Sequence, residues 1–287
     1  MSNQARRGVV LLTVLWTVAL LTTLAMAASL TFRGFASIMG IDRDRAQADG
    51  LMTAGLEVAG GLASGAGERP LRDLEYTLTL STGTVRVRLD DEGGRIDIGK
   101  APPELIAAAL RAVGADNADA MARAVVAWRK PDGDAQKPQA LTSGPAARAK
   151  APAPDSVLTD VAELVQVPGM RAQWVTALAP LVTVFGNETV NPLTAPPAVL
   201  AALPGVDPAR LSAFLAARAT AADPKQLVAS LGGAHNFLAV KPPQAVAVRL
   251  AAALADGYTA DARAVIVCLR NDRQPYRVLA WTPMGRS

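Results

Sequence analysis

The sequence predicts an α+β protein: an apolar N-terminal helix, an antiparallel sheet packed on it, and a large all-α block inserted between two parts of that sheet. Three observations carry this prediction. Residues Gly8 through Phe32 carry no charge. Alternating, β-rich sequence stands on both sides of a helix-rich middle, at Glu75–Ile98 and again at Ala262–Trp281. Inside that middle a unit built on Ala-Pro-Pro occurs twice, at Ala101-Pro102-Pro103 and at Ala195-Pro196-Pro197.

The uncharged run comes first. At ~1.5 Å rise per helical residue it can cross a ~30 Å hydrocarbon layer. In lipid the backbone must satisfy its own hydrogen bonds, which selects helix. Arg6 and Arg7 precede it, so the positive-inside bias puts Met1–Gly8 in the cytoplasm and everything after Arg33 across the membrane. A cleaved secretory signal is the alternative, with Ala25-Met26-Ala27-Ala28 as its small-residue site. Signal cores normally hold only ~7–15 apolar residues, and this run is longer. Helical sequence continues from Phe35 to about Leu62, with Leu51, Leu56, Val58 and Ala59 apolar and Arg43, Asp44, Arg45 and Asp49 polar. Gly60-Gly61 and the stretch Gly65–Pro70 are expected to break it.

Glu75–Leu89 alternates and turns near Thr82-Gly83, which predicts a two-stranded hairpin. Asp90-Asp91-Glu92 is expected to be a solvated turn, because three consecutive carboxylates cannot all face one side of a strand. Arg95–Ile98 reads as a third short strand. Each Ala-Pro-Pro unit follows a short hydrophobic run and opens a helix, since proline is tolerated where a helix N–H has no partner. Further helices are expected at Asn117–Trp128 and Thr159–Val167. The stretch from Arg129 to Pro154, with five prolines, reads as a loop. Gln244–Asp256 stays open: its alanines favour helix, while Val246, Val248 and Leu250 alternate as in a strand. Ala262–Leu269 and Arg277–Trp281 are the last predicted strands.

Several chemistries are disfavoured. The 287 residues are 51% hydrophobic and 19% charged, which excludes a largely disordered chain. The net charge of +4 is too mild to require a nucleic-acid partner. One cysteine, Cys268, and one histidine, His235, exclude a disulfide framework and disfavour multi-histidine metal chemistry. No nucleophile elbow, P-loop or dinucleotide fingerprint occurs, so no catalytic residue is assigned. Val167-Pro168-Gly169-Met170 and Leu203-Pro204-Gly205-Val206 have the form of helix-hairpin-helix turns. With few cations nearby, they read as packing turns; a membrane-tethered DNA-binding protein of the DNA-uptake type is the alternative.

Arg6-Arg7-Gly8 followed at once by a long aliphatic helix resembles the class III leader of type IV pilins and pseudopilins. The run Asp91-Glu92-Gly93-Gly94-Arg95-Ile96-Asp97-Ile98, the Ala-Pro-Pro units and Val190-Asn191-Pro192-Leu193-Thr194 are similar to the minor pseudopilin K family of type II secretion systems. That resemblance implies a leader over 1–8, cut by prepilin peptidase between Gly8 and Val9, with methylation among the implied modifications. It implies an inner-membrane helix at 9–32, a periplasmic helix extension at 33–66, and a pseudopilin β-domain in two parts, 70–99 and 236–287. The inserted helical domain, of the helix-hairpin-helix or SAM-like kind, covers 100–235. The fifth residue after the cut is Thr13, where most pseudopilins have glutamate, and its absence suits a tip position. The implied partners are the I and J minor pseudopilins, the major pseudopilin and secreted substrates, with no nucleic acid expected. Some relatives bind calcium; the candidate ligands here are Asp132 and Asp134. These two carboxylates fall short of the six to eight oxygens calcium takes.

Overall fold

One helix, α1, runs unbroken over Asn3–Gly65. The structure is a computed structural model that describes residues 3–66, 70–72, 74–129, 158–218, 220, 224–269 and 274–285, with α1 side chains described at 14–27 and from 39 onward. Among the described residues, no helix is long and apolar enough to cross a membrane. The expected stop at Gly60-Gly61 does not occur. A Cβ on Gly60 would lie 2.2 Å from the Tyr276 ring, so this glycine lets helix and sheet approach.

Strands among the described residues are β1 (Leu74–Leu80), β2 (Gly83–Asp91), β3 (Ile96–Asp97), β4 (Val182–Thr183), β5 (Ala245–Leu254), β6 (Thr259–Cys268) and β7 (Tyr276–Gly285). Five form an antiparallel sheet in the order β1-β2-β5-β6-β7. One face lies on α1: Val85, Val87 and Leu89 of β2 and Val246, Val248 and Leu250 of β5 share a core with Leu51, Leu56 and Ala59. The open segment is therefore a strand over Ala245–Leu254. Its even positions supply a continuous apolar face, and two neighbouring strands satisfy its backbone, which outweighs the helix propensity of its alanines.

The chain leaves the sheet after Asp91 and returns at Ala245, yet Asp91 and Val246 are register partners. Everything between them is the insert. Its helices are α2 (Pro103–Ala112), α3 (Ala118–Arg129), α4 (Ala172–Leu178), α5 (Pro197–Ala202), α6 (Pro208–Ala217) and α7 (Pro224–Ala229). They enclose a second core that includes Leu105, Leu110, Trp174, Leu200 and Phe214. The expected helix at Thr159–Val167 is a 3-10 turn over Val161–Gln166, held between the Asp160 cap and Pro168-Gly169.

The direction of the sheet fixes where the insert sits. Ser64 near the end of α1 bonds the Pro275 carbonyl beside the start of β7. Arg45 and Met52, a few turns earlier, flank a groove with Tyr258, Asp261 and Pro283 at the opposite end of the strands. The sheet end bearing the insert therefore lies alongside the C-terminal end of α1.

Candidate functional site

The two Ala-Pro-Pro units are copies of one local structure. In the first, the Asp97 carboxylate accepts the Gly99 N–H at 2.7 Å, and the Asp97 carbonyl accepts the Ala101 N–H at 2.7 Å. In the second, the Asn191 side-chain oxygen accepts the Leu193 N–H at 3.2 Å, and its carbonyl accepts the Ala195 N–H at 2.9 Å. In both, proline occupies the N-cap and the first turn of the following helix, α2 or α5. The next helix then sends an arginine back. Arg129 Nη1 donates to the Ile98 and Ala101 carbonyls at 3.1 and 2.8 Å. Arg218 Nη1 donates to the Pro192 and Ala195 carbonyls at 3.1 and 2.6 Å. Each copy closes on a parallel strand contact, Ile96 with Val182 in one and Val190 with Leu238 in the other.

The helix-hairpin-helix turns fall into this scheme. Gly169 and Gly205 both have positive φ, +85° and +75°, so each turn needs a residue at home in the left-handed region. The cations around them already serve the fold. Arg171 pairs with Asp116 at 3.2 Å and stacks 4.6 Å from the Trp174 ring centre. The N-terminus of α6 is capped by the Asp207 carboxylate, which accepts the Arg210 N–H. A carboxylate there occupies a donor that phosphate binding would use.

The junction between insert and sheet contains deeply buried charge. The expectation of a solvated Asp91-Glu92 turn is corrected: their exposures are 5% and 1%. The reason is that the chain turns inward here instead of reversing in solvent. Asp91 accepts the Gly93 N–H at 2.9 Å, the Thr194 hydroxyl at 2.8 Å and the Asn191 amide at 3.3 Å, joining the strand end to the second copy. Glu92 accepts from Arg263 of β6 at 2.7 Å and from Arg95 at 3.4 Å. Burial pushes the Asp91 carboxyl above its ordinary value, and it pulls the Arg95 guanidinium below its own. Gly94 completes the seam: a Cβ there would lie 2.8 Å from the Thr194 carbonyl carbon.

Burial also pushes the Asp97 carboxyl up, against the opposing pull of Lys100 and of neighbouring N–H groups. The folded state thus holds this proton more tightly than the unfolded chain. That contribution is present at low pH and is lost as pH rises from the unfolded carboxylate value through the higher folded one. Asp97→Asn copies the residue at the equivalent position, Asn191, and cannot ionise. We expect its stability at pH 7 to stay within about 1 kcal/mol of wild type, since the turn keeps its acceptor. Urea denaturation between about pH 4 and 7 should show a shallower decline than wild type; an unchanged slope would refute the assignment.

The residues singled out from sequence are distributed unevenly. Gly8, Val9 and Thr13 lie on the α1 backbone, and their side chains are outside the described set. Asp132 and Asp134 lie outside the described residues. Among the described residues no group of three or more His, Cys, Asp or Glu could hold a metal ion. His235 Nδ1 sits 3.1 Å from the Gly232 carbonyl in the 3-10 turn Gly232–Phe237, and Cys268 is half-buried on β6. Sequence reading missed the Asp91, Glu92, Arg129 and Arg218 contacts. One usable signal was present: an Asp or Asn stands four residues before the alanine of each Ala-Pro-Pro unit.

Residues 95–187 match the family model of the type II secretion system (T2SS), protein K. That span starts just before β3 and ends just after β4, so it covers the first copy. No curated protein matches the chain. Among solved structures, a chain of the GspK-GspI-GspJ complex from the enterotoxigenic Escherichia coli type 2 secretion system has the same fold. Its TM-score is 0.58 at 17% identity, covering 86% of this chain and 98% of that one. The family match and the shared fold together support the resemblance read from the sequence, that of a minor pseudopilin K of the type II secretion system.

Proposed function

We propose that the chain is a membrane-anchored minor pseudopilin that caps or initiates the pseudopilus tip together with the I and J minor pseudopilins. The observation that carries this is the position of the insert, at the sheet end beside the C-terminus of α1 and far along the helix from its apolar N-terminal half. With the N-terminal half in the membrane, the insert crowns the outer end. A head widened in this way obstructs further subunits above it. The solved relative was crystallised with GspI and GspJ, which supports the same partners here.

The anchor is assigned to the uncharged Gly8–Phe32 run, inserted once in the inner membrane with Met1–Gly8 cytoplasmic and the main domain periplasmic. Large apolar side chains within it, among them Leu15, Trp16, Leu20 and Leu24, are exposed in the isolated chain. Prepilin peptidase removes 1–8, leaving 9–32 as anchor and 33–66 as its periplasmic extension. The β-domain is then 70–99 with 236–287, around a helical domain at 100–235. Thr13 in place of glutamate removes a carboxylate that would be costly in lipid without a partner, consistent with a subunit that docks beneath none. The major pseudopilin lies below the tip, and secreted substrates meet it from above.

Protein isolated from secreting cells decides the matter. N-terminal sequencing should begin at Val9, and the membrane-extracted chain should copurify with I and J. A mature chain beginning near Ser29 and released in soluble form would overturn the reading.

A further inference from the structure

A cleft of about 250 Å³ opens at the seam between sheet and insert, on the side of the second copy. Five arginines line it: Arg72, Arg88 on β2, Arg95, Arg218 at the end of α6, and Arg249 on β5. Two carboxylates share the lining, Asp90 and Asp91. Asp90 lies between Arg88 and Arg249 at 3.7 Å from each, longer than a direct hydrogen bond. Asp91 turns its oxygens to Gly93, Thr194 and Asn191. Glu92, just behind the lining, is closest to Arg263 at 2.7 Å and reaches Arg95 at 3.4 Å. Among the described residues the lining therefore holds more cations than anions. The Arg95 guanidinium is held down by burial, opposed by Glu92, and further by the positive charges of Arg263 and Arg249.

We propose that this cleft binds a small tetrahedral oxyanion of the phosphate or sulfate type. The guanidinium is a planar fork that matches oxyanions, and it is less strongly hydrated than an ammonium. These arginines come from separate segments of the chain, so an anion with oxygens on all sides can use more of them than a planar carboxylate does. The volume suffices, since a water molecule's share of the liquid is roughly 30 Å³. A bound anion would hold the two sides of the seam together, because Arg88 and Arg249 belong to the sheet and Arg218 to the insert. The cleft is on the sheet face turned away from α1, at the strand ends that carry the insert and lie farthest from the apolar N-terminal half of α1, which points to a free anion in preference to a lipid headgroup.

The probe is sodium phosphate, titrated calorimetrically into the full chain in detergent against sodium chloride at matched ionic strength. Saturable phosphate binding that chloride does not reproduce is expected. Affinity should fall at least tenfold in Arg72→Gln/Arg249→Gln, with Arg249→Gln alone as the milder variant. Arg86→Gln on β2, whose partner Glu75 lies outside the cleft, should bind as wild type. Circular dichroism confirms that each variant is folded. Phosphatidylglycerol in mixed micelles with the same detergent should compete no better than phosphatidylcholine; stronger competition would assign the site to lipid headgroups. Absence of saturable binding, or binding unchanged in both cleft variants, would overturn the proposal.

Discussion

Glu92→Ala is expected to destabilise the fold by about 3–5 kcal/mol, the usual cost of removing one member of a buried ion pair. The Glu92 side chain is wholly buried, and Arg95 is 11% exposed. Truncation leaves the Arg95 cation with little water and without its paired anion, and it frees Arg263, which ties β6 to the strand end. Glu92→Gln keeps an acceptor without the charge and should fall between the two. Chemical denaturation measures the loss. Hydrogen exchange should locate it at Gly93–Ile98 while the α1–sheet core stays protected. A loss under about 1 kcal/mol would show that water reaches the pair and that the seam is held by packing.

Asn191→Asp is the second large effect. The Asn191 amide donates to Asp91 Oδ2 at 3.3 Å and to the Lys241 carbonyl at 3.1 Å. Aspartate replaces that donor with an oxygen facing a carboxylate and a carbonyl. Two carboxylates so close cannot both ionise cheaply, and Asp91 is already raised by burial. About 3 kcal/mol should be lost at pH 7. Much of it should return as the pH is lowered and one carboxyl takes a proton. Equal destabilisation at pH 7 and pH 4.5 would rule this out. The contrast with Asp97→Asn is instructive: equivalent turns, the same two residue types exchanged, and opposite expectations. What differs is the neighbour, since Asp97 lies near Lys100 and Asn191 faces Asp91.

Residues that act through their own periodicity were legible in the sequence. Val85, Val87 and Leu89 alternate, and they face α1. Ala-Pro-Pro followed by apolar residues opens a helix in both copies. The alanines of β5 left that segment open between helix and strand because its conformation is decided by β2 and β6, and no local preference contains those partners. Gly60 misled in another way. Read locally, a glycine pair ends a helix, but its role depends on Tyr276 arriving from far along the chain. Asp91 and Glu92 were misread for the same reason, as their partners Thr194, Asn191 and Arg263 are remote in sequence. The candidate site is built almost entirely from such remote contacts, so its residues were visible and its geometry was not.

The pairing of Asp91 with Val246 also bears on the order of folding. Were the insert a featureless coil, joining β2 to β5 across it would cost roughly 4 kcal/mol more entropy than a tight hairpin, by the logarithmic loop law. Helices with their own core can form from shorter-range contacts. Once formed, they bring the two strand ends together and remove most of that cost. Helix formation in the insert should then precede closure of the sheet, and the slow kinetic phase should report β2 meeting β5. Nascent chains that stop short of Ala245 would carry a helical insert beside a β1–β2 hairpin whose β5-facing edge is unpaired, the state most exposed to edge-to-edge aggregation.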